Sequence, residues 1–260
     1  MTLTYSSYLS LPALLELQRP RSEPPEHDEM LFIVIHQVYE LWFKEMLHEL
    51  GYLHTLLDRA DTPRALHTLK RVLTILKVNV AQIDVLETMT PLEFLSFRER
   101  LESGSGFQSF QFRELEFALG LKNPKALDRY PPGSAARTQL ERRLAAATLW
   151  DAFLHFLAAR GFPVPKSALS RDVTRRVEPD PELQKVLLEV YRGDPSVRTV
   201  CERLVDLDEG IQEWRYRHVK MVQRTIGTRG GTGGSEGAAY LMTTLNQPVF
   251  PDLWAIRTAL

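Results

Sequence analysis

The stretch that decides the fold is residues 197–226, VRTVCERLVDLDEGIQEWRYRHVKMVQRTI. One set of its residues recurs every three or four positions, as on the buried face of an amphipathic helix. This set is Leu204, Leu207, Ile211, Trp214, Met221, Val222 and Thr225. His218 lies at the centre of the same face, where a polar ring must be hydrogen-bonded or must bind something else. The sequence therefore predicts a long core helix that presents one imidazole to the interior.

A glycine-rich segment, GTRGGTGG at residues 227–234, follows this helix directly. Glycine lets the backbone approach a ligand closely, so the segment is a candidate for a flexible lid. It is not a phosphate-binding P-loop, because no Gly-Lys-Ser or Gly-Lys-Thr follows it. Since most glycine-rich segments are simply mobile connectors, the pattern leaves both interpretations open.

The composition is that of an ordinary globular protein, with 44% hydrophobic and 25% charged residues in a chain of 260. The net charge is −1, so bulk electrostatics gives no reason to expect a nucleic-acid or membrane partner. Cys201 is the lone cysteine and cannot form an internal disulfide, which favours a reducing, cytoplasmic location. The first residues lack the features of a signal peptide, and no apolar run is long enough to span a bilayer.

Nearly the whole chain is predicted to be helical, because no segment alternates with a period of two for long enough to form a strand. Apolar periodicity, caps and glycine or proline stops predict helices at 28–59, from 61, at 90–103, 107–119 and 134–160, and from 181, besides 197–226. We therefore predict an all-α helical bundle that forms a single domain over residues 1–260.

The helix predicted from residue 28 carries a second notable histidine. His36 lies at the edge of a wide apolar arc, between Phe32 and Phe43, with Glu40 one turn further on. An edge position suits a side chain that faces a pocket and reaches a polar group. The alternative is a structural histidine bonded to Glu40 or to a backbone carbonyl. Periodicity alone favours a structural role for both His36 and His218.

Arg98 is predicted on the helix over 90–103, where it shares a face with Phe94 and Leu101. An arginine on an apolar face either extends to solvent or pairs with an anion. Its planar guanidinium fits a carboxylate through two parallel hydrogen bonds. Extension to solvent is the commoner outcome, so the pattern leaves both roles open.

Haem is a better candidate cofactor than zinc. The sequence has one cysteine and no His-Glu-x-x-His pair, whereas a lone histidine on an apolar face suits haem ligation. Basic residues around His218 either meet the haem propionates or form an ordinary solvated helix face. These residues are Arg215, Arg217, Lys220, Arg224 and Arg229.

Several segments, taken together, resemble the tryptophan 2,3-dioxygenase family. They are Tyr5-Ser-Ser-Tyr-Leu9; His27-Asp-Glu-Met-Leu-Phe-Ile33 with His36-Gln37 and Glu40-Leu-Trp42; Ser105-Gly-Phe-Gln-Ser-Phe-Gln-Phe-Arg113; Trp214-Arg-Tyr-Arg-His218; and Gly231-Thr-Gly-Gly-Ser235. Each segment is weak evidence alone, but their order and spacing are specific. The resemblance extends from Tyr5 to Thr258 and outweighs the structural interpretation of the histidines.

The resemblance implies an enzyme that binds haem b, with His218 as the iron ligand. The implied reaction uses O₂ to cleave the indole C2–C3 bond of L-tryptophan and gives N-formyl-L-kynurenine, the first step of tryptophan catabolism by the kynurenine route. His36 is the implied catalytic residue on the distal side, and Ser105 is an implied hydroxyl near the haem. The implied substrate-binding residues are Phe32, Phe94, Arg98 and Thr232.

The resemblance also implies a homotetramer, a dimer of dimers, in which the N-terminal segment 1–25 contacts a neighbouring subunit. Tyr5, Tyr8 and Leu9 match the substrate-site residues of that segment. Phe94 departs from the pattern, because many bacterial members have tyrosine there. We expect His36 to orient the indole by a hydrogen bond rather than to remove its proton, because an indole N–H is a very weak acid.

Two other functions remain open at the level of sequence. One is a related haem enzyme that inserts a single oxygen atom into a tryptophan analogue. The other is a non-catalytic haem or tryptophan sensor, which fits less well because an O₂ sensor needs no group for an amino-acid carboxylate.

Overall fold

The computed structural model describes residues 2–231 and 238–260, apart from the side chain of Tyr240. These residues form helices and turns without any strand, which confirms the predicted all-α fold. The α-helices are α1 Tyr5–Tyr8, α2 Leu11–Leu15, α3 His27–Asp58, α4 Thr62–Leu86, α5 Pro91–Phe97, α6 Phe110–Leu119, α7 Ala135–Ala145, α8 Leu149–Ala159, α9 Lys166–Leu169, α10 Pro181–Gly193, α11 Pro195–Ile226, α12 Ala238–Met242 and α13 Pro251–Ala255. Short 3-10 helices cover Arg98–Leu101, Gly106–Gln108, Pro124–Arg129 and Ile256–Ala259. None of the described helices has the length and apolar character needed to cross a lipid bilayer.

Three long helices form the centre of the fold, because α4 packs along both α3 and α11. The N-terminus of α4 is capped by Asp61, whose carboxylate accepts a hydrogen bond from the backbone N–H of Arg64. α11 approaches α4 closely at Gly210, where a Cβ atom would lie only 2.6 Å from Cδ2 of Leu76. A glycine at this position therefore lets the two helices pack side by side.

The prediction of a single helix over residues 134–160 is wrong, because the structure has two helices there, α7 and α8. Thr148 begins α8 as a reciprocal cap: its hydroxyl accepts from the N–H of Asp151, and the Asp151 carboxylate accepts from the N–H of Thr148. Lys122, which belongs to neither helix, stabilises the break between α7 and α8. Its ammonium donates to the carbonyl oxygens of residues 143, 144 and 146 at 2.6, 2.8 and 2.8 Å.

The helix predicted over residues 90–103 is also shorter than expected. α5 ends at Phe97, and Arg98 begins a 3-10 helix that ends at Leu101. Because a 3-10 helix turns more tightly than an α-helix, the periodicity that placed Arg98 on an α-helical face does not apply to it. The region predicted as a helix over 107–119 begins with a 3-10 helix and continues as α6 after the cap Ser109.

A buried carboxylate fixes the C-terminal residues against α11. Asp208 accepts hydrogen bonds from the backbone N–H groups of Val249 and Phe250, at 2.8 and 2.9 Å, and from the indole Nε1 of Trp254 at 2.9 Å. A buried carboxylate is tolerated only when it is hydrogen-bonded in this way. These bonds hold the end of the chain on the helix that carries His218.

We predict that Lys122→Met lowers the free energy of unfolding by about 2–4 kcal/mol, because three partly buried carbonyls at the α7–α8 break lose their donor. Chemical denaturation followed by far-ultraviolet circular dichroism measures this change. Lys125→Met is the matched control, since Lys125 is exposed on the 3-10 helix that begins two residues after Lys122. Equal stabilities of the two variants would contradict a role for Lys122 at the break.

Candidate active site

A cavity of about 260 Å³ lies among α3, α4, α5, α6 and α11. Its walls are largely apolar, with side chains such as Phe43, Ile83, Leu86 and Phe112. Most of the site residues expected from the sequence line it: Phe32, His36, Phe94, Arg98, Ser105 and His218. The fold therefore gathers residues from distant parts of the chain around one apolar cavity.

His218 presents its imidazole to this cavity from α11. The ring stacks on Trp214, one helical turn earlier, with centroids 5.1 Å apart and planes inclined by 6°. No described residue forms a hydrogen bond with the ring. Burial, together with a smaller effect of the nearby His36, lowers the pKa of His218 to about 4. At neutral pH the ring is thus uncharged and has a nitrogen lone pair available for a metal.

His36 reaches the same cavity from α3. Its Nδ1 lies 2.7 Å from the carbonyl oxygen of Phe32. A carbonyl can only accept, so Nδ1 carries the proton and Nε2 of the neutral ring is left as an acceptor. Burial lowers the pKa of His36. The hydrogen bond to the Phe32 carbonyl and the charge of Glu40 offset part of this lowering. Both proposed features of His36 are present: it bonds a backbone carbonyl, and it also lines the cavity.

Three phenylalanines form an aromatic corner beside His36. The ring of Phe32 lies 4.1 Å from the His36 ring, 5.8 Å from Phe94 and 5.5 Å from Phe97, measured between centroids. Phe94 and Phe97 meet edge to face at 5.5 Å. Tilted and edge-to-face contacts of this kind hold aromatic walls in fixed orientations. The corner is suited to a flat aromatic ligand.

Arg98 stands at the junction of α5 and its 3-10 helix rather than on an α-helical face. One guanidinium nitrogen, Nη2, donates to the carbonyl oxygen of Gly230 at 2.6 Å. Nε is buried and has no hydrogen-bond partner among the described residues. A buried donor without a partner is costly, so this edge of the guanidinium is suited to an anionic ligand. Arg98 therefore lines the cavity instead of extending fully into solvent.

Ser105 also lines the cavity, at the start of the 3-10 helix Gly106–Gln108. Its hydroxyl accepts from the backbone N–H of Phe107 at 3.4 Å and so helps to begin that helix. The side chain is held close to the cavity by its role as a cap.

A charged part of the wall was only partly visible in the sequence. Arg215, one of several basic residues near His218 on α11, is 5% exposed and donates to Oε1 of Glu116 at 2.6 Å. Arg113 forms a second ion pair with Glu116, and all three line the cavity. Arg113 and Glu116 lie three residues apart on α6, which was the available signal, but such pairs are usually solvated. By contrast, Arg217 pairs with Asp84 of α4.

Three other expected site residues, all in the N-terminal segment, are not brought to this cavity. Tyr5, Tyr8 and Leu9 are 76%, 71% and 41% exposed and do not line it. Thr232 lies outside the described residues. No three His, Cys, Asp or Glu residues within the described ranges are placed to hold a metal ion together.

Comparisons with known proteins agree with one another. A family model described as tryptophan 2,3-dioxygenase matches residues 1–143 and 149–260. A protein of that name from Herpetosiphon aurantiacus is 59% identical over 99% of this chain and 98% of its own length. Others of that name are 58% identical, from Anaeromyxobacter sp. strain K, and 44% identical, from Caulobacter vibrioides. Each match covers 99% of this chain and, respectively, 96% and 98% of the relative.

We predict that the neutral ring of His36 carries its proton on Nδ1 and titrates at a lower pH than an ordinary histidine, because burial lowers its pKa. Long-range ¹H–¹⁵N correlation spectra of protein labelled at histidine report the tautomer, and His36→Asn assigns the signal. His155 is the internal control, since its Nδ1 makes a similar 2.8 Å contact with the Asp151 carbonyl. An Nε2-protonated His36 would contradict the assignment.

Proposed function

The chain belongs to the tryptophan 2,3-dioxygenase family, and we propose that its cavity binds haem b and L-tryptophan side by side. The enzyme uses O₂ to cleave the indole C2–C3 bond and releases N-formyl-L-kynurenine. The observation that carries this proposal is the convergence of two neutral imidazoles, His218 and His36, on one apolar cavity that also contains Arg98. Relatives named for this activity favour it over insertion of a single oxygen atom and over a sensor.

The residues present suit a haem. His218 is uncharged, free of hydrogen bonds from described residues and stacked on Trp214, so it would suit the role of iron ligand. Apolar side chains match the face of a porphyrin, and Arg113 and Arg215 supply cationic groups for its carboxylates. When bound, the haem supplies the activation of O₂ that side chains cannot provide.

The aromatic corner and Arg98 divide the recognition of tryptophan between its two ends. Phe32 and Phe94 lie against the flat indole, while the unpaired Nε of the Arg98 guanidinium donates to the carboxylate. Thr232 contributes to the amino-acid end, as the resemblance implies. Holding both ends fixes the indole C2–C3 bond in one place and keeps the substrate from tumbling.

His36 orients the indole. Because Nδ1 is committed to the Phe32 carbonyl, Nε2 is the free acceptor for the indole N–H. The lowered pKa keeps the ring neutral, so this acceptor persists at physiological pH. An imidazole is far too weak a base to remove the indole proton completely, so His36 positions the ring rather than deprotonating it.

The N-terminal segment completes a neighbouring site in a homotetramer, a dimer of dimers. Tyr5, Tyr8 and Leu9 are exposed and lie away from the cavity of their own chain, which supports a place against another copy. Apolar side chains exposed in this number are suited to an interface. The single domain of each copy then lends its first residues to its neighbour.

We predict that His218→Ala abolishes haem retention, because the iron loses its protein ligand. The ratio of haem absorbance to protein after size-exclusion chromatography measures this. His155→Ala serves as the control and should retain haem, since His155 lies outside the cavity lining. Normal haem content in His218→Ala would show that another residue binds the iron.

We predict that Arg98→Ala raises KM for L-tryptophan by about a hundredfold, the loss expected for a buried, charge-assisted pair. Tryptamine has no carboxylate, so its KM should change by less than about tenfold in the same variant. Steady-state kinetics with both substrates measures the split. Arg100→Ala, on the same 3-10 helix, is the control and should leave both constants near the parent values. Equal losses for both substrates in Arg98→Ala would make Arg98 structural.

A further inference from the structure

The N-terminal arm, residues 2–16, is joined to the body by a linker, residues 17–22, that is bonded to α3. Glu29 of α3 is 2% exposed and accepts a hydrogen bond from the backbone N–H of Arg21 at 2.7 Å. It also accepts from the N–H and hydroxyl of Ser22, at 2.9 and 2.5 Å. Burial alone raises the pKa of Glu29, but these hydrogen bonds outweigh burial and leave the pKa below its usual range. The buried carboxylate is thus ionised and fully engaged with the linker.

Gln37 bonds the outer end of the linker to the same helix. Its Nε2 donates to the carbonyl oxygen of Leu17 at 3.1 Å, and its Oε1 accepts from Nε2 of Gln18 at 2.6 Å. Glu29 and Gln37 lie about two turns apart on α3. Both ends of the linker are therefore hydrogen-bonded to α3. These bonds fix the direction in which the chain continues from Leu17 into the arm.

The arm beyond this point exposes apolar side chains. Leu3 and Leu15 are 72% and 70% exposed, comparable with Tyr5 and Tyr8. No residue of the arm is among those that line the cavity of its own chain. Burying these side chains requires apolar surface outside the arm. The direction in which the arm leaves α3 therefore decides which surface it contacts.

We propose that Glu29 and Gln37 are positioning residues that fix the linker on α3 and so direct the arm into the active site of a neighbouring copy. This inference rests on the proposed function, in which the arm completes that site. Glu29 is the stronger anchor, because hydrogen bonds to an ionised carboxylate are roughly twice as strong as those between neutral groups. Neither side chain lines the cavity, so both act only through the arm.

Glu29→Gln tests this role, with Glu23→Gln as the matched control on an exposed carboxylate next to the linker. A nitroxide at Leu3→Cys reports distances between arms of the assembled holoenzyme, because the natural Cys201 is buried and unreactive. Pulsed electron paramagnetic resonance is recorded on the ferrous, carbon monoxide-bound form, whose iron is diamagnetic. Kinetics are measured without the label. We expect Glu29→Gln to broaden the distance distribution and raise KM for L-tryptophan by about five- to tenfold with little change in kcat.

Distances and KM that match Glu23→Gln would overturn the proposal. A variant in full-length chain, Tyr5→Ala with Tyr8→Ala and Leu9→Ala, separates this failure from failure of the proposed function. If that variant keeps the parent KM, the arm does not complete the neighbouring site and the proposed function is wrong on that point. If it raises KM while Glu29→Gln leaves distances and KM unchanged, the arm contributes but Glu29 does not position it.

Discussion

The packing of α4 against both α3 and α11 is the constraint on which the candidate site depends. α3 carries His36 and α11 carries His218, far apart in the sequence, and neither helix alone forms a cavity. The close approach at Gly210 holds α11 against Leu76 of α4. Because a close-packed interior transmits small displacements, a bulkier residue there would shift the helix that carries His218. The distance between the two imidazoles is therefore set by apolar packing outside the site.

Burial then decides the chemistry of these groups. Desolvation keeps both imidazoles neutral, so one has a lone pair for a metal and the other has an acceptor for a substrate N–H. Glu116 partly neutralises Arg113 and Arg215, whereas Arg98 keeps one buried donor without a partner among the described residues. A few polar groups in an apolar cavity fix the orientation of a ligand, while the apolar walls contact most of its surface. This arrangement suits a largely apolar substrate.

The all-α fold and the long helices could be predicted from sequence, because periodicity and caps report burial along a regular helix. The break before Thr148 is not predicted by the sequence, because the alanines at 145–147 favour helix and the ammonium of Lys122 comes from elsewhere in the fold. The buried pair of Arg215 and Glu116 was hidden for a similar reason, since helical charges are usually solvated. His36 and His218 were ambiguous on periodicity, and the combination of motifs was needed to select them. Tyr5 shows the last limit, because its proposed surroundings belong to another copy of the chain.

The most direct test is the crystal structure of the ferrous, haem-loaded protein with L-tryptophan bound. We expect iron bound by His218, the indole N–H directed at Nε2 of His36, and the carboxylate paired with Arg98. Iron bound by His36, or tryptophan lying outside the cavity with its carboxylate away from Arg98, would contradict it.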